Sequence, residues 1–312
     1  MQFQNNLKKY LKNRSENNWQ LNTSPIKKRY DFFIIVPAKA EKKNLPFLLA
    51  SISEQNQKYL ANCLVILIIN NSNNDSKKII KNNKETLEYL DTTTFDFELR
   101  YVDASTGNNS LPEKKSGVGL ARKIGADLAI KYSNPLSIIC YTDADVIISS
   151  NYLKIISDYY NQSKCGCAIV GFRHQKNENS TINRRIKDYE KFLLKTADDL
   201  KNAGSPYGYV TLGSCMTCTA YAYISVGGMN KMKATEDFYF LQELTKHFKY
   251  MHTIHDKIVY PSSRISSRVY LGTGYRMQKM ATEENVNNLY FSNESFENLN
   301  ELLLIIKKSY HL

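Results

Sequence analysis

Long hydrophobic runs are missing from this chain. The longest apolar stretches, residues 32–36 and 63–69, fall far short of the ~20 residues that cross a bilayer. Residues 1–30 are polar and lack the apolar core of a secretory signal. Glycine and proline are sparse, 13 and 7 of 312 residues, which excludes collagen-like and low-complexity architectures. With 42% hydrophobic residues the chain is too apolar to be disordered and long enough for one large α/β domain or two small ones. The expectation is a soluble, cytoplasmic protein.

Acids are also in deficit, 30 against 42 lysines and arginines, for a net charge of +12. Such a surface suits nucleic acid, an anionic membrane or an acidic substrate. Lysine and asparagine are spread along the whole chain, however, which reads as compositional bias before it reads as a patch. Cysteine is scarce too: Cys63, Cys140, Cys165, Cys167, Cys215 and Cys218. The spacings Cys165-x-Cys167 and Cys215-x-x-Cys218 invite a zinc reading. The first pair leads into a strand-like run and the second lies among small residues, so buried free thiols are expected instead.

Apolar runs at 31–37, 63–69, 97–102 and 136–141 alternate with helical patterns at 45–56, 76–90 and 116–132. Asn44 is the expected cap of the first of these helices. Buried strands alternating with helices predict a mostly parallel sheet, whose ligands bind beyond the carboxyl ends of the strands. Three polar loops follow strand ends, at 38–43, 70–75 and 143–145. Further on, helices are expected at 151–160, 183–200, 238–247 and 296–308, with strands at 168–172 and 254–260. Residues 207–226 carry no clear pattern.

Chemistry concentrates at a few places. Thr142-Asp143-Ala144-Asp145 ends a strand with two carboxylates one residue apart, the hard-oxygen set that Mg²⁺ or Mn²⁺ shares with phosphates; two solvated aspartates are the plainer reading. Thr235-Glu236-Asp237 opens a helix after Gly227-Gly228. It is either an N-terminal cap or a source of a general base. Arg264 and Arg268, before Gly272-Thr-Gly274, can grip phosphates. Ser116-Gly-Val-Gly-Leu-Ala-Arg122 fits neither a dinucleotide fingerprint nor a P-loop. His252 or His255, just after the Glu-Asp helix, is a candidate third metal ligand.

Taken in order, these segments resemble family 2 glycosyltransferases of the GT-A fold. The matching segments are Ile35-Val-Pro-Ala-Lys-Ala-Glu41 with Leu45, the loop 70–75, Gly119-Leu-Ala-Arg-Lys-Ile-Gly125, Thr142-Asp-Ala-Asp145, Val226-Gly-Gly-Met229 and Thr235-Glu-Asp237. The resemblance spans about residues 31–270. It implies an α/β, Rossmann-like, mostly parallel sheet flanked by helices, with a smaller acceptor-side half. It also implies a metal-dependent, inverting transfer from a nucleotide-diphospho-sugar to an acceptor hydroxyl in surface-glycan or polysaccharide synthesis. Pro37, Ala38, Glu41, Asn70, Arg122, Arg264 and Arg268 would then bind the donor, with Asp143 at the ribose or the metal. Asp145 would hold a divalent cation, Mn²⁺ or Mg²⁺, and Asp237 would be the base with Glu236 beside it. The sequence departs from the family pattern at Ala40 and Lys123, where asparagines are usual, and at Asn70 and Asn71, where acids are common.

The implied division is a basic extension at 1–30, a catalytic domain at 31–275 (nucleotide half 31–150, acceptor half 151–275) and a helical extension at 276–312. The partners implied are the donor and a glycan or lipid-linked acceptor, with no nucleic acid. The lysines of residues 1–30, with Lys307 and Lys308, suggest peripheral contact with the inner face of an anionic membrane. Two other readings compete: a nucleotidyltransferase of similar architecture, which should open on a glycine-rich loop that residues 37–41 lack, and a non-catalytic sugar- or nucleic-acid-binding module.

Overall fold

The structure, a computed structural model, describes residues 2–264 and 290–309. Its frame is an eight-stranded sheet whose strands lie side by side in the order Leu99–Ala104, Cys63–Asn70, Tyr30–Ala38, Ser133–Tyr141, Met216–Thr219, Cys167–Phe172, His252–Tyr260 and Ile147–Ile148. Strands β1 (Tyr30–Ala38), β2 (Cys63–Asn70), β3 (Leu99–Ala104) and β4 (Ser133–Tyr141) run parallel, with Ile35 beside both Ile66 and Tyr141. β1 and β2 are apolar at nearly every position because both faces are covered. Phe33 and Ile35 enter one core, and Phe32, Ile34 and Val36 enter the other.

Between these strands run α2 (Leu45–Ser53), the single turn α3 (Gln57–Leu60), α4 (Lys77–Thr92) and α5 (Val118–Ala129). Ser76 caps α4 by accepting from Ile79 N. Asn44 does not cap α2 as expected; its Nδ2 donates to Glu41 Oε2 at 2.6 Å instead. Short β5 (Ile147–Ile148), α6 (Tyr152–Ser163), β6 (Cys167–Phe172) and α7 (Ser180–Asn202) follow. The unpatterned stretch then yields β7 (Met216–Thr219) and α8 (Ala220–Ser225). β7 is antiparallel to both β4 and β6 and turns the second half of the sheet around. Its Thr217 is buried, and the hydroxyl donates to Ala168 O at 2.8 Å. Gly227 and Gly228, both at φ near +80°, make the turn that carries the chain back towards α9 (Glu236–Phe248) and β8 (His252–Tyr260).

The amino-terminal segment is built into this frame. In α1 (Gln2–Asn13), Phe3, Leu7 and Tyr10 are buried in the same core as α5 and α8. Trp19 Nε1 donates to Asn109 O at 2.7 Å, and Asn22 N bonds Tyr101 O on edge strand β3, so the segment blunts that edge. The clamp is Asp127, fully buried on α5. It accepts from Tyr10 Oη (2.7 Å), Tyr223 Oη (2.8 Å) and Glu16 N (2.8 Å), and pairs with Lys123 Nζ at 3.1 Å. Burial lowers the Lys123 pKa against the pull of Asp127, and raises that of Tyr10. All six cysteines are buried and free. No helix among the described residues is long and apolar enough to cross a membrane.

Asp127→Asn strands a buried ammonium without its counter-charge. Breaking such a pair costs about 3–5 kcal/mol, so the urea midpoint should fall sharply. An unfolding free energy within about 0.5 kcal/mol of wild type, the range of ordinary surface changes, would contradict the role given to this clamp.

Candidate active site

Parallel strands deliver their loops to one edge, and the order of strands reverses between β1 and β4. That reversal opens a crevice beyond their carboxyl ends. β1 runs out into Lys39, Ala40 and Glu41, β2 into Asn70 and Asn71, and β4 into Asp143 and Asp145. α9 begins nearby with Glu236 and Asp237.

Two ion-pair groups occupy this edge. Arg264 Nη2 contacts Glu41 Oε1 and lies 2.9 Å from Asp145 Oδ2. Arg122 donates through Nη2 to Asp143 Oδ1 at 2.5 Å and through Nη1 to Glu236 Oε1. The Asp-Ala-Asp turn joins the groups. Its backbone is held from behind, since Gln175 Nε2 donates to Asp145 O at 2.9 Å and to Tyr260 O at 2.7 Å. Asp237 is half-buried, and its Oδ1 accepts from Phe238 N at 2.8 Å.

The structure thus gathers Glu41, Asp143, Asp145, Arg264, Arg122, Glu236 and Asp237 at one edge. Ala38 is buried in the core, and Arg122, only 2% exposed, turns inward among carboxylates rather than outward to a ligand. Pro37 is buried within β1, beside Ile68. Arg268 lies outside the described residues. Thr235 does not cap α9. It adopts a left-handed backbone (φ +62°), strained for a β-branched residue, and Asn230 Nδ2 holds Glu236 O at 2.9 Å.

Sequence reasoning missed the residues that shape the loops. Buried Asn83 on α4 accepts from Ala40 N (2.8 Å) and donates to Asn70 O (3.0 Å) and Asn71 Oδ1 (2.6 Å), tying the β1 and β2 loops together. A polar residue on the inward face of α4 was its only signal. Ala40 is itself left-handed (φ +56°), a conformation asparagine tolerates better than alanine. Lys39 pairs with Asp75 at 2.7 Å, and Asp75 Oδ2 accepts from Ser72 N at 2.8 Å. Burial works against the Asp75 carboxylate, yet Lys39 and Ser72 hold it below the usual range. Asn70, 2% exposed, keeps Oδ1 without a hydrogen-bond donor.

No cluster of three histidine, cysteine or acidic side chains suited to a metal occurs among the described residues. Asp143 and Asp145 supply two hard oxygen donors at a half-exposed turn. That set fits a cation that completes its shell with phosphate and water. His252 instead lies 3.2 Å from the Tyr159 hydroxyl, and His255 is exposed.

The fold is that of a GT-A glycosyltransferase. Residues 33–216 match the sequence profile described as "Glycosyl transferase family 2", and the chain belongs to that family. The crystal structure of S. aureus TarS 1-349 in complex with UDP-GlcNAc aligns with a TM-score of 0.54 at 13% identity, over 88% of this chain and 71% of that one. Another structure of TarS 1-349 aligns at TM-score 0.48 and 13% identity over 74% of this chain, which there spans 60% of the relative's length. The Pyrobaculum calidifontis mannosyltransferase PcManGT, in complex with GDP-Man and Mn²⁺, aligns at 0.48 and 13% identity, over 99% and 82% of the two chains. No curated protein matches by sequence.

Burial pushes the Glu236 carboxyl up to about 7 from 4.5, against the attraction of Arg122. A carboxyl whose pKa rises on folding gives its full stability below the unfolded value and loses it as pH climbs to the folded one. Wild-type stability should therefore decline between about pH 4.5 and pH 7 by a component that Glu236→Gln removes. Urea unfolding at stepped pH measures it, and superimposable profiles would contradict it.

Proposed function

We propose that the protein transfers a sugar from a nucleotide-diphospho-sugar to an acceptor hydroxyl, with inversion, in the synthesis of a surface glycan or polysaccharide. One observation carries the reading: the Asp-Ala-Asp turn after β4 and the Glu-Asp start of α9 stand at the same sheet edge, joined through Arg122. Carboxylates of both segments thus gather around one guanidinium.

In this reading the nucleotide lies beyond β1 and β2. The unpartnered Asn70 Oδ1 accepts an N–H of the base, which relieves the cost of about 1–3 kcal/mol that an unsatisfied buried carbonyl carries. Asp145, with Asp143, would hold a divalent cation, Mn²⁺ or Mg²⁺, which neutralises charge on the departing diphosphate. Arg264 and Glu41 flank that position, and Arg264 adds fixed positive charge there. Asp237 takes the proton from the attacking hydroxyl. One base and a single displacement invert the anomeric centre. Asn70 in place of an acid offers both a donor and an acceptor to the base.

Asp145→Asn and Asp237→Asn should each reduce nucleoside-diphosphate release from the cognate donor by at least about 10²-fold while leaving the fold intact by circular dichroism. A thermal-shift panel of nucleotide-sugars with Mn²⁺ identifies that donor. Full activity in both variants would end this reading.

Peripheral membrane contact belongs to the same proposal, with a glycan or lipid-linked acceptor as substrate. On α10 (Asn293–Ser309), Leu302, Leu304, Ile305 and Ile306 are exposed, followed by Lys307 and Lys308. Apolar side chains beside lysines suit an anionic bilayer. Co-sedimentation with anionic but not neutral liposomes is expected; binding to neither would refute the contact.

A further inference from the structure

Arg122 is buried and commits both terminal nitrogens to protein carboxylates, and its surroundings explain why. Four chain segments meet at its guanidinium. α5 supplies the side chain, the turn after β4 supplies Asp143, α9 supplies Glu236, and the helical turn before β7 supplies Gly213. The two carboxylates take separate nitrogens of one rigid fork, so the position of either carboxylate limits the other. Asp143 is two residues from Asp145, and Glu236 precedes Asp237.

Gly213 sets the plane of that fork. A Cβ there would sit 2.3 Å from Nη1, 2.4 Å from Nη2 and 2.6 Å from Cζ of Arg122. The end of an arginine usually yields to such a clash at small cost, but this one is held at both ends and enclosed. Its only escape breaks an ion pair. Gly213 does not have a positive φ, so alanine suits the backbone itself and the conflict is confined to the guanidinium.

We propose that Arg122, seated on Gly213, is a positioning residue that holds the acceptor-side Asp237 in register with the donor-side Asp143–Asp145 turn. Gly213 thereby becomes a determinant of turnover although it carries no side chain. The inference rests on the proposed transfer reaction, in which those carboxylates work on opposite sides of the reacting sugar. A displacement of about 1 Å between such groups can cost 10²-fold in rate.

The test uses Gly213→Ala, Arg122→Lys and the double variant of the full chain. Lysine keeps the buried charge but has no planar fork, and it leaves room for an alanine methyl. Nucleoside-diphosphate release with Mn²⁺ is followed for kcat and donor KM, with UDP and GDP binding by calorimetry and thermal melting alongside. Each single variant should lose about 10–100-fold in kcat, with nucleotide affinity within about threefold of wild type. The double variant should be no worse than Arg122→Lys alone, because the glycine matters only to the guanidinium. Wild-type kcat in Gly213→Ala, multiplying losses, or a loss confined to nucleotide affinity would each overturn the proposal. A wild-type protein that turns over no donor defeats the transfer reading instead. The same cycle read in urea midpoints then decides the seat itself: coupling between 122 and 213 upholds it, and additivity overturns it.

Discussion

A guanidinium removed from water must be met by carboxylates, and Arg122 draws two of them from distant parts of the chain. Much of the architecture follows from satisfying that requirement. β4 must end where α5 can reach it, the return through Gly227 and Gly228 must bring α9 to the same point, and the turn before β7 must stay bare at Gly213. The pair with Glu236 is costly in desolvation, which is why that carboxyl is pushed up despite its partner.

A second face of α5 solves a problem of the same kind. Lys123 and Asp127 face away from the site, into the packing of α1 and α8, where two tyrosines complete the shell of Asp127. Adjacent residues 122 and 123 thus anchor the loop edge of the sheet and the amino-terminal segment respectively. α5 is buried from Gly119 to Ala129 because it is clasped on both sides. Strain is tolerated close by: Ala40 and Thr235 hold left-handed backbones at the two loops that carry Glu41 and Glu236.

Much of the frame could be read from sequence. The continuous apolar runs of β1, β2 and the second half of β4 announced strands covered on both faces, and their polar ends placed Asn70, Asp143 and Asp145 correctly at one edge. β7 escaped because Thr217 and Thr219 make Met216–Thr219 look polar, whereas in the sheet Thr217 is satisfied by Ala168 O. The role of Asn83 escaped because a single buried amide on a helix leaves no periodic mark.

By itself, then, the sequence determined which residues are chemically competent and on which loops they stand, since strand periodicity and the residue types at strand ends are local properties. Tertiary structure alone decided which carboxylate each arginine meets, that residues 2–22 join the core rather than hang from it, and that Gly213 underlies Arg122. Those outcomes depend on contacts between segments far apart in the chain, where burial makes each unpaired charge too costly to leave.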